Sequence, residues 1–422
     1  MAAIFSFIIT FLFLGESNIN TIDPGVNEKW SKIDEHVLNT PPHIEQEVKT
    51  LAGYFLKVAD TDAGKARAIY RWITDRIAYD TNALSGRNLQ NISAQDVLEN
   101  RKAICTGYVI LFKELAKMMG LNVETITGHS KGYGFDPHDR STLVENHSWV
   151  AVKIDNDWQL ADPTWGAGYI SSDSEKFIPH FSEFYFLSNP GQLIYTHFPL
   201  DNTWQLLEQP VTESDYHNYP VVTHFFFQNG LHFDEVRDLH HDTNGKFSTH
   251  FLIPDDTVVQ SEVTHIETGI TENVLIRINK KNLDLSVRLS RTGLYKLELF
   301  ARALETENHD FHLATYFYLN NSTPSVINSY PRLLGYYDIT RARLISPLTY
   351  ELSDTLSYDF EIIIPGAEEA YVNNQTLNEW YKLERDGQHF SITTAPGKGK
   401  IKLVARFPDD DFFSVFAEFT GE

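Results

Sequence analysis

The 422-residue chain has a single cysteine, Cys105. No intrachain disulfide can form, and a cysteine-rich zinc site is excluded. Basic residues are scarce: 35 Lys and Arg against 57 Asp and Glu give a formal net charge of −22. There is no basic stripe, so no nucleic-acid partner is expected, and an anionic membrane surface would repel the chain. Long apolar runs are also missing. The clearest, Ala2 to Leu14, has the length of a secretory leader and is too short to span a bilayer. Gly15 and Ser17 are small enough for a cleavage site, although no Lys or Arg precedes the run. The expectation is a leader over residues 1–20 and a secreted or extracytoplasmic protein, with a cytoplasmic one as the alternative. No membrane span is expected elsewhere.

The material for buried cores is plentiful. Hydrophobic residues make up 42% of the chain and aromatics 13%, which marks it as globular. The length calls for more than one core. Sequons stand at Asn91, Asn146 and Asn374, and a glycan at Asn146 would crowd the adjacent His147.

The pattern changes near residue 200. Before it, helical spacing dominates. Lys65 to Ile77 places Ala68, Ile69, Trp72, Ile73 and Ile77 on one helix face, with Asp60 or Thr61 as its cap. Cys105 to Met119 is a second helix, stopped by Gly120. Strand-like runs follow at Asn122–Thr127, Ser148–Ile154 and Trp158–Ala161, the last two joined by a turn at Asn156-Asp157. After Pro210 the helix signal ends. Alternating runs start at His224, Phe247, Val274, Leu283, Tyr295 and His312 and suggest a β-sandwich. A break at Asn320 to Pro324 precedes further runs from Ala342, Tyr358, His389, Lys400 and Phe412. The domain reading is an α+β module over residues 21–209, a first sandwich over 210–320 and a second over 325–422.

Three residues in the first module suit thiol chemistry. A nucleophilic thiolate needs stabilisation, a base, and a group that orients the base. Cys105 opens a helix, where the dipole and unpaired amides favour an anion. Gly107 lets the backbone approach closely there. His147 begins one strand of the hairpin and Asp162 ends the other, so both fall near the same end of the ladder. Asp162 can then hold one imidazole nitrogen and leave the other for Cys105. Any one of the three alone would be read as structural; the joint placement is what points to a site.

The segments KARAIYRWITDRIAYD, ICTGYVILFKELAKMMGLNVETITGHSKG and NHSWVAVKIDNDWQLADPTWGAG resemble the three motif blocks of transglutaminase-like domains, and within these the kyphoscoliosis peptidase family. The likeness extends to SKIDEHVLNTPP, to EFYFLSNPGQLIYTHFPLDNTWQLL, and to YPRLLGYYDITRARLISPL and IIIPGAEEAYV. The resemblance implies a papain/transglutaminase-like catalytic domain followed by two Ig-like β-sandwich domains. It implies Cys105 as nucleophile, His147 as general base and then acid, and Asp162 as the orienting carboxylate. It also implies a thioester intermediate on protein amides, with water or an amine as acceptor.

Trp149 and Trp165 flank these residues and are the substrate-contact candidates. No cofactor and no metal is expected, with calcium dependence left open. The DLHHD run at Asp238–Asp242 is read as a polar loop rather than a metal site. The expected partner is a protein, as substrate or as binding partner. The alternative to an enzyme is a scaffold that keeps the fold and binds proteins through its sandwiches.

Overall fold

The computed structural model describes residues 28–85, 92–139, 141–171, 176–234, 238–304, 310–408 and 410–422. The expected leader and the Asn91 sequon lie outside the described residues. The chain divides into two compact units. One comprises Met1–Val123, Lys153–Asn156 and Pro163–Glu183; the other comprises Glu124–Val152, Asp157–Asp162 and Phe184–Glu422.

The first unit is mostly helical. Its longer helices are α1 (Ser31–Leu38), α2 (Val48–Phe55), α3 (Asp62–Arg76), α4 (Ala94–Asn100) and α5 (Cys105–Met118). Thr61 caps α3 by accepting from the Gly64 N–H at 3.1 Å, one of the two caps expected. The apolar face of α3 buries Ile69, Trp72 and Ile73 completely, and α5 adds Leu111, Phe112 and Leu115. Each such side chain contributes about 1.5–3 kcal/mol through burial. Gly120, at φ +73°, takes the left-handed conformation that ends α5. A charged cluster sits inside this unit. Arg67, 1% exposed, donates two parallel bonds to Asp34 at 2.8 and 2.7 Å and a third to Glu183 at 2.6 Å.

The second unit begins with a four-stranded sheet. Its strands are β1 (Val123–Ser130), β2 (His147–Ile154), β3 (Asp157–Ala161) and β4 (His197–Pro199), in the order β3-β2-β1-β4. The hairpin turn sits one residue earlier than the sequence suggested. Asp155 and Asn156 are its left-handed residues, at φ 49° and 75°, and Asp157 already belongs to β3. Asn and Asp tolerate that conformation best, so a two-residue hairpin turn is the natural outcome.

Beyond residue 210 the structure corrects the expectation that helices cease. α6 (Glu213–Asn218) starts from a capping box between Thr212 and Asp215. The aromatic run from His224 is a short helix, α7 (His224–Gln228), not a strand. Gly230, at φ +68°, closes it, and the Leu231 N–H turns back to the Phe226 carbonyl at 3.0 Å. An apolar run this short does not distinguish helix from strand by periodicity.

Two β-sandwiches follow. The first packs β6 (Lys246–Leu252), β9 (Asn282–Arg288) and β8 (Val274–Asn279) against β5 (His240–Thr243), β11 (His312–Asn321), β10 (Gly293–Ala303) and β7 (Thr257–His265), each set in that order. The DLHHD run is therefore not a loop: His240–Thr243 forms β5, parallel to β11. The expected break at Asn320 also shifts, because Asn321 ends β11 and is buried, accepting from Thr243 Oγ1 at 2.9 Å. The second sandwich has β14 (Glu369–Asn374), β16 (Gly399–Arg406) and β17 (Ser414–Gly421) in one sheet. The other holds β12 (Arg343–Ser346), β13 (Tyr358–Ile363) and β15 (His389–Thr394). The Asn374 sequon ends β14 with its amide fully buried, donating to the carbonyls of Pro396 and Lys398 at 2.7 and 3.0 Å.

Two arginines tie the sandwiches together. Arg341 of the second donates to the carbonyls of Pro254, Asp255 and Thr257 in the first, at 2.7, 2.9 and 2.8 Å. Arg288 of the first donates to the Leu348 carbonyl at 2.6 Å.

Candidate active site

Cys105 is the first residue of α5 and is 8% exposed. Ile104 before it is extended, with φ −89° and ψ 178°, and delivers the chain directly into the helix. The approach is fixed by short parallel pairing of Lys102–Ala103 with Ala78–Tyr79, and by the Asp80 N–H donating to the Ala103 carbonyl at 2.9 Å. Tyr108, one turn in, donates its hydroxyl to the Ile77 carbonyl at 2.6 Å. The first turn of α5 has no acidic side chain to oppose an anion. Gly107 is required by close approach: a Cβ there would lie 2.6 Å from Ala103 Cβ and 3.2 Å from Val97 Cγ2. This first-turn glycine matches the role expected of it.

In the second unit the structure brings His147 and Asp162 together. His147 Nε2 lies 2.8 Å from Asp162 Oδ2, with both residues buried. Asn146 fixes the start of β2: its Oδ1 accepts from the Ser130 N–H at 2.7 Å and its Nδ2 donates to the Ser130 carbonyl at 3.1 Å. The Asp162 N–H donates to the Tyr185 carbonyl at 2.9 Å, which holds the end of β3. With Nε2 turned to the carboxylate, the His147 nitrogen suited to acid–base work is Nδ1.

A third residue joins the pair. His197 Nε2 lies 3.1 Å from the same Asp162 oxygen, and its Nδ1 lies 2.8 Å from Thr196 Oγ1. Burial alone would raise the Asp162 carboxyl. The charge and hydrogen bond of His147, joined by the hydrogen bond of His197, outweigh it and hold the group well below the usual carboxylate range. Burial pushes His197 down despite its bond to Asp162, so this imidazole is neutral near pH 7. Tyr185, buried beside them, is pushed well above the usual phenol range by burial and by the Asp162 charge. It is therefore an uncharged wall.

The two tryptophans differ in setting. Trp149 is 1% exposed, stacked on His147 with ring centres 5.9 Å apart and edge-on to His197 at 5.1 Å. It is packed among the imidazoles, which corrects its expected role as a substrate contact. Gly128 makes room for it, since a Cβ there would meet the indole at 2.7 Å. Trp165 is half-buried on a short helix, Pro163–Ala167, where the sequence suggested a glycine-rich loop. Pro163 supplies the preset φ of a first helical position.

His147, Asp162 and His197 are also the described residues best placed to hold a metal ion, their ligand atoms lying within 4.8 Å of one another. An ion would have to displace both N–H donors from the oxygen they share, and zinc ligands sit at about 2.0–2.2 Å. The observed spacing is that of hydrogen bonds. His197 escaped notice in the sequence because it is 35 residues from Asp162. The available signal was the segment EFYFLSNPGQLIYTHFPLDNTWQLL, whose family likeness extends past the aspartate.

Parts of the chain are similar to known proteins. Residues 49–163, a span containing Cys105, His147 and Asp162, match the family model of the transglutaminase-like superfamily. That segment of the chain is a transglutaminase-like domain. Residues 213–331 match the family model of the KY-like, immunoglobulin-like domain. Kyphoscoliosis peptidase of Homo sapiens is 30% identical over 253 residues, covering 60% of this chain and 38% of that protein. Hillarin of Drosophila melanogaster is 33% identical over 248 residues, covering 56% of this chain and 28% of its own. The chain thus spans well under half the length of these relatives. Among solved structures, a putative cysteine protease from Cytophaga hutchinsonii is 20% identical over 33% of this chain and 43% of its own, with a TM-score of 0.23. No described helix is long and apolar enough to cross a membrane.

Proposed function

We propose that this protein performs thiol-dependent acyl transfer on protein amides, with Cys105 as nucleophile, His147 as base and then acid, and Asp162 as the orienting carboxylate. The observation that carries the proposal is the buried 2.8 Å contact between His147 and Asp162, in a chain whose one cysteine opens a helix. His147 Nδ1 takes the thiol proton as sulfur attacks the amide carbonyl carbon. The tetrahedral oxyanion faces the unpaired amides at the start of α5. The imidazolium then protonates the departing amine, the C–N bond breaks, and a thioester remains. Water adding to the thioester returns the free thiol and a carboxylic acid; a lysine amine gives a new amide. The half-buried Trp165 is the proposed substrate contact. The Ig-like sandwiches supply protein-binding surface, and a scaffold working through them alone is the competing account.

Two measurements test this. Iodoacetamide should alkylate Cys105 faster than free cysteine at neutral pH. Incubation with protein substrates and a labelled primary amine should give mass changes for cleavage, deamidation or amine incorporation that vanish in Cys105→Ala. Ordinary thiol reactivity together with identical behaviour of Cys105→Ala would leave the scaffold account standing.

A further inference from the structure

We infer that His197 is a positioning residue for the His147–Asp162 pair: a neutral imidazole that donates to the same buried carboxylate oxygen and fixes where that oxygen can hold His147. The inference rests on the acyl-transfer reading above. It adds a fourth member that touches no substrate.

Stereochemistry carries it. An ionised carboxylate only accepts hydrogen bonds. Asp162 Oδ2 lies 2.8 Å from Nε2 of His147 and 3.1 Å from Nε2 of His197, so each Nε2 carries its proton. His197 Nδ1 must then accept from Thr196 Oγ1 at 2.8 Å if the ring is to stay uncharged. The Thr196 hydroxyl has one proton, and its other acceptor, the Leu193 carbonyl, is farther away at 3.2 Å. That carbonyl already receives the Thr196 N–H at 3.0 Å. The shorter contact therefore sets one tautomer, proton on Nε2.

The surroundings suit a fixed neutral donor. His197 is 2% exposed, with the Trp149 ring 5.1 Å away, Tyr185 at 6.1 Å and His147 at 5.4 Å. Asp162 is the one ionised carboxylate among these neighbours, and neither Trp149 nor Tyr185 can take over as a cation. A wholly buried carboxylate that lost this donor would be less stable as an anion and freer to turn. Without the second donor, the His147–Asp162 pair would keep its proton to higher pH, and the imidazole would lose its fixed aim.

The test uses the full chain with His197→Phe, which removes the donor, and His197→Gln, which restores an N–H. Two properties are read across pH: the Cys105 alkylation rate with iodoacetamide, and the His147 imidazole proton resonance in a Cys105→Ala background. His197→Phe should slow alkylation about tenfold, the low end of the loss when a hydrogen-bonded partner that orients a metal-binding side chain is removed. It should also move the His147 titration to higher pH, and His197→Gln should recover most of both. Unchanged alkylation and an unchanged His147 titration in His197→Phe would overturn the inference, as would equal losses in the Phe and Gln variants. Should His197→Phe fail to fold, Thr196→Val decides: a smaller shift of the His147 titration to higher pH supports the role, and no shift overturns it. A wild-type Cys105 no more reactive than free cysteine sinks the acyl-transfer reading instead, a result that the resonance arm keeps separate.

Discussion

The indole of Trp149 lies against the imidazole of His147 with their planes only 23° apart. The indole Nε1 is buried and has no hydrogen-bond partner among the described residues. The ring therefore acts through shape, not through its N–H. Trp149→Ala should cost about 3–5 kcal/mol, the usual loss for a large buried aromatic. Trp149→Phe should cost less than that, because part of the aromatic packing is kept and no hydrogen bond is given up. Urea unfolding of both variants checks this; equal losses would mean that the N–H matters after all.

Gly107 sits where a methyl group has no room, 2.6 Å from Ala103 Cβ. Gly107→Ala should destabilise the fold by about 1–3 kcal/mol through overpacking. The strain falls on the first turn of α5, so iodoacetamide reactivity of Cys105 should drop as well. A variant with lower stability and untouched thiol reactivity would separate the helix start from the chemistry.

Arg67 holds a buried charge network with Asp34 and Glu183. Burial disfavours its charge, but the bonds and charges of the two carboxylates prevail and raise its proton affinity. Arg67→Met should cost about 3–5 kcal/mol, since it strands the Asp34 carboxylate. The double variant Arg67→Met with Asp34→Asn should recover part of that loss. Denaturation midpoints of the single and double variants give the coupling directly.

Asp338 should make stability pH-dependent. Burial pushes its carboxyl up to about 7 against the pull of Arg341, and its Oδ1 is sealed without a partner among the described residues. The unfolded group releases its proton near about pH 3.9. Between about pH 4 and about pH 7 the folded state holds a proton that the unfolded state has lost, so stability falls as pH rises through that window. Asp338→Asn should abolish this slope and gain about 1–3 kcal/mol above it. Unfolding at about pH 5 and about pH 8 tests the sign.

Much of this was legible in the sequence, for physical reasons. The faces of α3 and α5 repeat at helical spacing and end on clear signals at Thr61 and Gly120, so their bounds fell within a few residues. The strands of both sandwiches alternate over enough residues to be read, β7 and β14 excepted. The short elements were not legible. α7 has only aromatic residues to declare itself, and β5 is defined by backbone pairing with β11 that no side-chain pattern reveals. Cys105, His147 and Asp162 stood out because helix start and hairpin ends mark position. His197 stands on a three-residue strand, and only tertiary pairing of β1 with β4 carries it to Asp162.

The two inter-sandwich arginines bear on how the C-terminal half would respond to tension. Arg341 grips three carbonyl acceptors between Pro254 and Thr257 at one joint, and Arg288 grips Leu348 at another. A pull applied to the last strand would reach the turn at Pro254 through these grips before any connecting segment could extend. The paired sandwiches would then yield together, as one stiff spring, and single-molecule extension should record one rip that splits in two when Arg341 is replaced by alanine.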